Sequence, residues 1–145
     1  MPRCTPSNKL RLLILLSMSI NLGPARAGEP PLPADCTEAM STMEMNACAG
    51  AEFEKADAEL NRVYKAAIAS IPEMATDEQP FDKASWEEAL RASQRAWIAF
   101  RDAECEGHVE KFWGGGTGGT VDIIGCKTEK TEQRTKELKQ RYEIE

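Results

Sequence analysis

Histidine is almost missing from this chain of 145 residues: His108 is its only one. No Cys-x-x-Cys pair accompanies it, and His108 is not spaced as a partner ligand to any cysteine, so a structural zinc site is disfavoured. The phosphate-loop, Gly-x-Ser-x-Gly and His-Glu-x-x-His patterns are absent as well. His108-Val109-Glu110 matches one half of a zinc-deaminase signature, but the Pro-Cys-x-x-Cys half is not there. No motif therefore supplies a nucleophile, base or metal set. The chain reads as a non-enzyme, with no catalytic residue, metal or cofactor expected. Carboxylates are plentiful, but an acid–base pair needs a cleft, and on helix faces they read as solvated charge. Repeats and strand-like alternation are also missing.

Long apolar runs are lacking too. The longest, Leu12 to Leu22, is about half the roughly 20 residues of a spanning helix. Arg3, Lys9 and Arg11 precede it, Gly23 and Pro24 break it, and Ala25-Arg26-Ala27 follows as an A-x-A cleavage site. That order is the pattern of a cleavable secretory signal. Residues 1–27 are expected to be removed, and the mature chain to be periplasmic or secreted. No cysteine lies beside the cleavage site to carry a lipid, so no membrane attachment is expected after cleavage.

Cleavage removes four basic residues, leaving 14 basic against 24 acidic ones, a net charge of −10. That disfavours nucleic acid and anionic membrane as partners and favours basic ones through electrostatic steering. Solubility alone accounts for such acidity equally well. Cleavage also removes Cys4. Cys36, Cys48, Cys105 and Cys126 remain, an even set in an oxidising compartment, which predicts two disulfides. Three pairings are possible; local pairing, Cys36 with Cys48 and Cys105 with Cys126, is preferred.

Residues 28–35 contain three prolines and read as an extended leader before a domain at 36–145. Ser41 and Glu44 fit a capping box. Met45, Ala49, Phe53, Ala56, Leu60, Tyr64, Ala67 and Ile71 then recur at helical spacing until Pro72, which should stop the helix. After a proline-containing acidic loop, Ser85 and Glu88 form a second capping box. Trp86, Leu90, Ser93, Trp97 and Phe100 line a second helix reaching about Cys105. Gly107 and residues 114–119 read as a glycine-rich loop, followed by a short apolar patch at Val121–Ile124. A third helix is expected over Cys126–Tyr142, with a thin apolar face (Thr131, Leu138, Tyr142) and i,i+4 pairs Glu132/Lys136 and Glu137/Arg141. The expected fold is all-α: a small helical hairpin with a third short helix, stapled by two disulfides.

The most distinctive segment is residues 94–105. Trp97 and Arg101 lie one turn apart, so the guanidinium can rest over the indole. Apolar residues at helical spacing are more often core than site, so this face reads as core with Arg101 as a tether at its edge. Here a resemblance enters. Cys36-x11-Cys48, Leu60-Asn61-x-x-Tyr64, Gln94-x-x-Trp97-x3-Arg101-Asp102-x-x-Cys105, Gly118-Gly119-Thr120, Cys126 and Thr131-x-x-Arg134 together resemble the LprI-type lysozyme inhibitor family, over about residues 35–142. The resemblance implies a small exported helical protein that binds and blocks a host or competitor lysozyme. An envelope adaptor module without lysozyme contact is the alternative.

If Cys105 pairs with Cys126, the residues between them become a closed loop with fixed ends and an adaptable tip. It carries His108, Lys111, Phe112 and Trp113, the candidate partner-binding residues. Tryptophan is frequent among interface anchors, and Lys111 or a protonated His108 suits a lysozyme's catalytic carboxylate. The competing reading is that the aromatics fold back onto a thin core and the glycines only make turns.

Overall fold

The computed structural model describes residues 35–145; the expected signal at 1–27 and the leader up to residue 34 lie outside the described residues. The fold is all-α, with two disulfides, Cys36–Cys48 and Cys105–Cys126. Three long helices, α1 (Thr42–Met74), α2 (Lys83–Asp102) and α4 (Gly119–Tyr142), carry it. Between α2 and α4 the chain stays helical through a π-helical stretch, Ala103–Val109, and one α-turn, α3 (Glu110–Trp113). No described helix is long and apolar enough to cross a membrane.

The capping box at α1 forms as the sequence requires: Ser41 Oγ accepts from the Glu44 amide, and Glu44 accepts from the Ser41 amide at 2.9 Å. From there Leu60, Val63, Ala67 and Ile71 face inward, to meet Leu90 of α2 and Leu138 and Tyr142 of α4. Pairings along the bundle give its topology. Phe53 lies beside Lys127, Glu59 bonds Lys139, and Arg62 reaches the carbonyl of Glu145, so α1 and α4 run in the same direction. Arg101 meets Thr131 while Gln94 meets Arg134, so α2 runs opposite to α4. Cys36–Cys48 pins the short 3-10 turn Cys36–Glu38 against α1.

Four boundaries differ from the sequence expectation. Pro72 does not stop α1, which continues to Met74. A proline deletes one helical hydrogen bond, and here the loss falls in the final turn, where the Ala75 amide still closes onto the Ile71 carbonyl. Ser85 does not cap α2. Asp82 does, accepting from the amides of Ala84 and Ser85 and from the Ser85 hydroxyl, so Ser85 serves inside the first turn. Residues 107–113 are helical rather than loop, which confines the glycine-rich connection to Gly114–Gly118. Finally, α4 begins at Gly119, absorbs the Val121–Ile124 patch and runs for 24 residues. Phe100, expected on the inner face of α2, is exposed; Gln94 and Arg101 are buried in its place. Glu137 bonds back to Arg134 at 3.0 Å instead of forward to Arg141.

Glu59 joins α1 to α4 through its bonds to Arg62 (2.7 Å) and Lys139 (2.8 Å). These two cations, Arg62 foremost, lower its pKa from 4.5 to about 2. A carboxylate with a depressed folded pKa stabilises the fold above its unfolded pKa and loses that contribution as pH falls through the folded one. Melting temperature should therefore fall more steeply with acid between about pH 4.5 and 2 in the wild type than in Glu59→Gln. The effect should be small, because the pair is exposed to solvent and its ions.

Candidate functional site

Gln94, Trp97 and Arg101, spaced three and four residues apart on α2, line a seam with α4 together with Asp102: Gln94 meets Arg134 and Arg101 meets Thr131. Arg101 is only 8 % exposed. Its Nε donates to Asp102 Oδ1 at 2.9 Å, and its Nη1 reaches Thr131 Oγ1 at 3.5 Å and lies 3.8 Å from Asp57 of α1. The guanidinium lies 5.2 Å from the Trp97 ring centre and 5.5 Å from that of Phe53. Arg134 donates from Nε to Gln94 Oε1 and from Nη2 to Ser93 Oγ, both at 3.1 Å. Both guanidiniums are thus engaged by side chains of neighbouring helices. A buried charge with its donors matched holds helices in register, whereas an unmatched one destabilises. This seam presents no free cation to a ligand. Tyr64 lies elsewhere, half-buried against the apolar core.

The candidate partner-binding residues occupy the helical segment beyond α2, and the structure divides them. Trp113 folds back onto α4 while staying 42 % exposed: its Nε1 donates to Asp122 Oδ2 of α4 at 2.7 Å, and its ring packs against Gly118 and Gly119. A Cβ at Gly118 would sit 2.5 Å from the indole, so any other residue there would displace the ring. Gly115, with φ of +86°, turns the chain between the two helices in a conformation that favours glycine. His108, Lys111 and Phe112 project outward. The His108 and Phe112 rings meet edge to face at 5.1 Å, and His108 Nδ1 lies 3.6 Å from Glu104.

Sequence reasoning missed what holds this segment. Lys127 of α4 bonds Glu106 at 2.7 Å and lies 3.8 Å from Asp102, tying the π-helical stretch to α4 beside the Cys105–Cys126 disulfide. Cys126-Lys127 was a possible clue, since a residue next to a bridged cysteine is brought to the partner strand of chain. Nothing local marked Glu106 or Asp122 as its counterparts. Helices α1 and α4 also flank two open grooves, the first of which reaches Thr117 in the Gly114–Gly118 connection. One, of about 980 Å³, is lined by small and apolar residues including Met43, Ala47, Gly50 and Ile124; the other, of about 680 Å³, by charged ones including Glu52, Lys55, Glu132 and Lys136. Asn46 Oδ1, at the first groove, is buried without a hydrogen-bond partner. Among the described residues no three metal-ligating side chains cluster.

The sequence matches the family described as lysozyme inhibitor LprI over residues 34–138. It is also similar to an uncharacterised protein of Rhizobium meliloti (strain 1021), 40 % identical over 126 residues, which cover 83 % of this chain and 86 % of that protein. No solved structure matches. The seam of Gln94, Trp97, Arg101 and Arg134 and both disulfides fall inside the matched span, and the chain belongs to the LprI lysozyme inhibitor family.

Proposed function

We propose that this protein is an exported inhibitor, periplasmic or secreted, that binds a host or competitor lysozyme and occludes its cleft. The observation that carries the reading is the family match over nearly the whole described domain. The chemistry is compatible with it. Lysozyme cleaves its glycan with two carboxylates in an open cleft, so an inhibitor needs no reactive group of its own, only a rigid body that fills or covers that cleft. Animal-type lysozymes are strongly basic, and a mature charge of −10 favours their approach.

The test is a clearing assay. Residues 28–145 with both disulfides formed should stop a lysozyme from clearing a suspension of cell walls at near-stoichiometric ratios. Undiminished clearing at large excess, across purified animal, bacterial and phage lysozymes, would overturn the reading and leave the envelope adaptor in its place. Where inhibition occurs, raising salt from 0.05 to about 0.5 M should slow association markedly, since the Debye length falls below about 5 Å. Dissociation should change less. An association rate indifferent to salt would remove electrostatic steering from the account.

A further inference from the structure

Resting on that reading, we infer that the lysozyme-contacting surface is the knob at the end of the π-helical stretch: Phe112 enters the target's sugar-binding cleft, while Glu104 and Glu110 face the basic surface around it.

The knob is built rigidly, yet its apex is left bare. The Cys105–Cys126 disulfide, the Lys127–Glu106 ion pair and the Trp113–Asp122 hydrogen bond fasten residues 105–113 to α4 at three separate points. Gly118 admits the Trp113 ring where any side chain would collide with it. Phe112, one residue before this anchor, is nevertheless 78 % exposed, and His108 is its one aromatic neighbour. Holding a phenyl ring in water adds nothing to the fold. A fixed, exposed aromatic lowers the ordering cost of binding, which is how interface anchors gain affinity. π-Helical turns are rare and recur at functional sites.

The charges indicate what the ring would meet. Glu104 lies beside His108, which contacts Phe112, and Glu110 flanks Lys111 on the same turn. Glu106 and Asp102 are matched by Lys127 and Arg101, which leaves Glu104 and Glu110 against Lys111 as the nearby cation. The surroundings of Phe112 are therefore acidic on balance. An acidic rim around an apolar tip complements a basic protein whose ligand cleft has flat apolar walls, as such clefts generally have. It does not complement an acidic partner, an anionic membrane or nucleic acid.

The test compares three variants of the disulfide-intact protein against a purified animal-type lysozyme that the wild type inhibits. Phe112→Ala should weaken inhibition by about 30-fold or more, the range of an interface anchor, with melting unchanged because the ring is exposed. Glu104→Gln with Glu110→Gln should slow association several-fold at low salt and lose most of that difference at about 0.5 M salt. Phe81→Ala, at a 63 % exposed aromatic just before α2 and at the other end of that helix from the knob, should inhibit like the wild type. If the wild type inhibits and Phe112→Ala inhibits equally well, the knob is not the contact, though the inhibitor reading stands. If the wild type inhibits no lysozyme, both fall.

Discussion

Replacing Cys105 and Cys126 together by alanine should lower the unfolding free energy by about 3 kcal/mol and, separately, weaken lysozyme inhibition. The disulfide closes a segment with a sequence separation of 21, for which the loss of chain entropy in the unfolded state alone is worth about that much. Cys105 is also fully buried, so its removal leaves the end of α2 less well packed. Cys36–Cys48 spans only 12 residues. Loop entropy varies slowly with length, so the shorter loop costs only about 0.5 kcal/mol less. Burial separates them further, because Cys36 is exposed. Removing Cys36 and Cys48 should therefore lower stability less and leave inhibition intact, since that bond fastens the 3-10 turn to α1 and does not hold residues 105–113. Denaturant melts of the two double variants measure the first effect, and clearing assays well below both midpoints measure the second. Equal inhibition by both variants would show that the 105–126 staple does not position the contact.

Leu138→Ala should be at least as costly, about 3–5 kcal/mol, the upper part of the range for a fully buried leucine. Leu138 is 0 % exposed and packs among Leu60, Val63, Ala67, Ile71, Leu90 and Tyr142, where all three long helices meet. Its neighbours stand on the rigid middle turns of α1 and α2, so the space it vacates has little means of closing. A typical domain has only about 5–15 kcal/mol in total, so the variant should melt far below the wild type. A loss under about 1 kcal/mol would mean that α4 does not pack as described.

The packing of α4 also explains why its extent was hard to read from the sequence. Its inward face carries Thr131, Arg134 and Thr135 beside Leu138 and Tyr142. Polar residues do not register in an apolar periodicity, so the helix looked thin and short. Thr135 returns its hydroxyl to the Thr131 carbonyl, and Arg134 is met by Gln94 and Ser93. Those matches exist only once α2 is in place. The start of α4 was hidden for a similar reason: Gly118-Gly119 reads as loop, and only the Trp113 ring packed against them favours glycine inside this helix start.

Features fixed by near neighbours were legible. The Ser41/Glu44 box, the α1 face around Leu60, Ala67 and Ile71, the local disulfides and the Trp97–Arg101 contact all arise within a few residues or a short loop. At α2 two caps competed. Asp82 accepts two amides and a hydroxyl where Ser85 offered a box with Glu88, and the better acceptor set the boundary. The π-helical stretch, Ala103–Val109, left no mark of its own, because Gly107 reads as loop and nothing else in it signals a wider helical turn. Of the candidate contact residues, His108, Lys111 and Phe112 are displayed as a binding surface requires, whereas Trp113 anchors the turn beneath them.

The central claim is that this protein blocks a lysozyme by occupying its cleft. The most direct measurement follows a fluorescent, non-cleavable oligosaccharide bound in the cleft of an animal-type lysozyme while the disulfide-intact protein, residues 28–145, is titrated in. The oligosaccharide should be released as one inhibitor binds per lysozyme, and added oligosaccharide should compete the inhibitor off in turn. A complex that forms yet leaves the oligosaccharide affinity unchanged would contradict occlusion, and no complex at all would contradict the assignment of lysozyme as the partner.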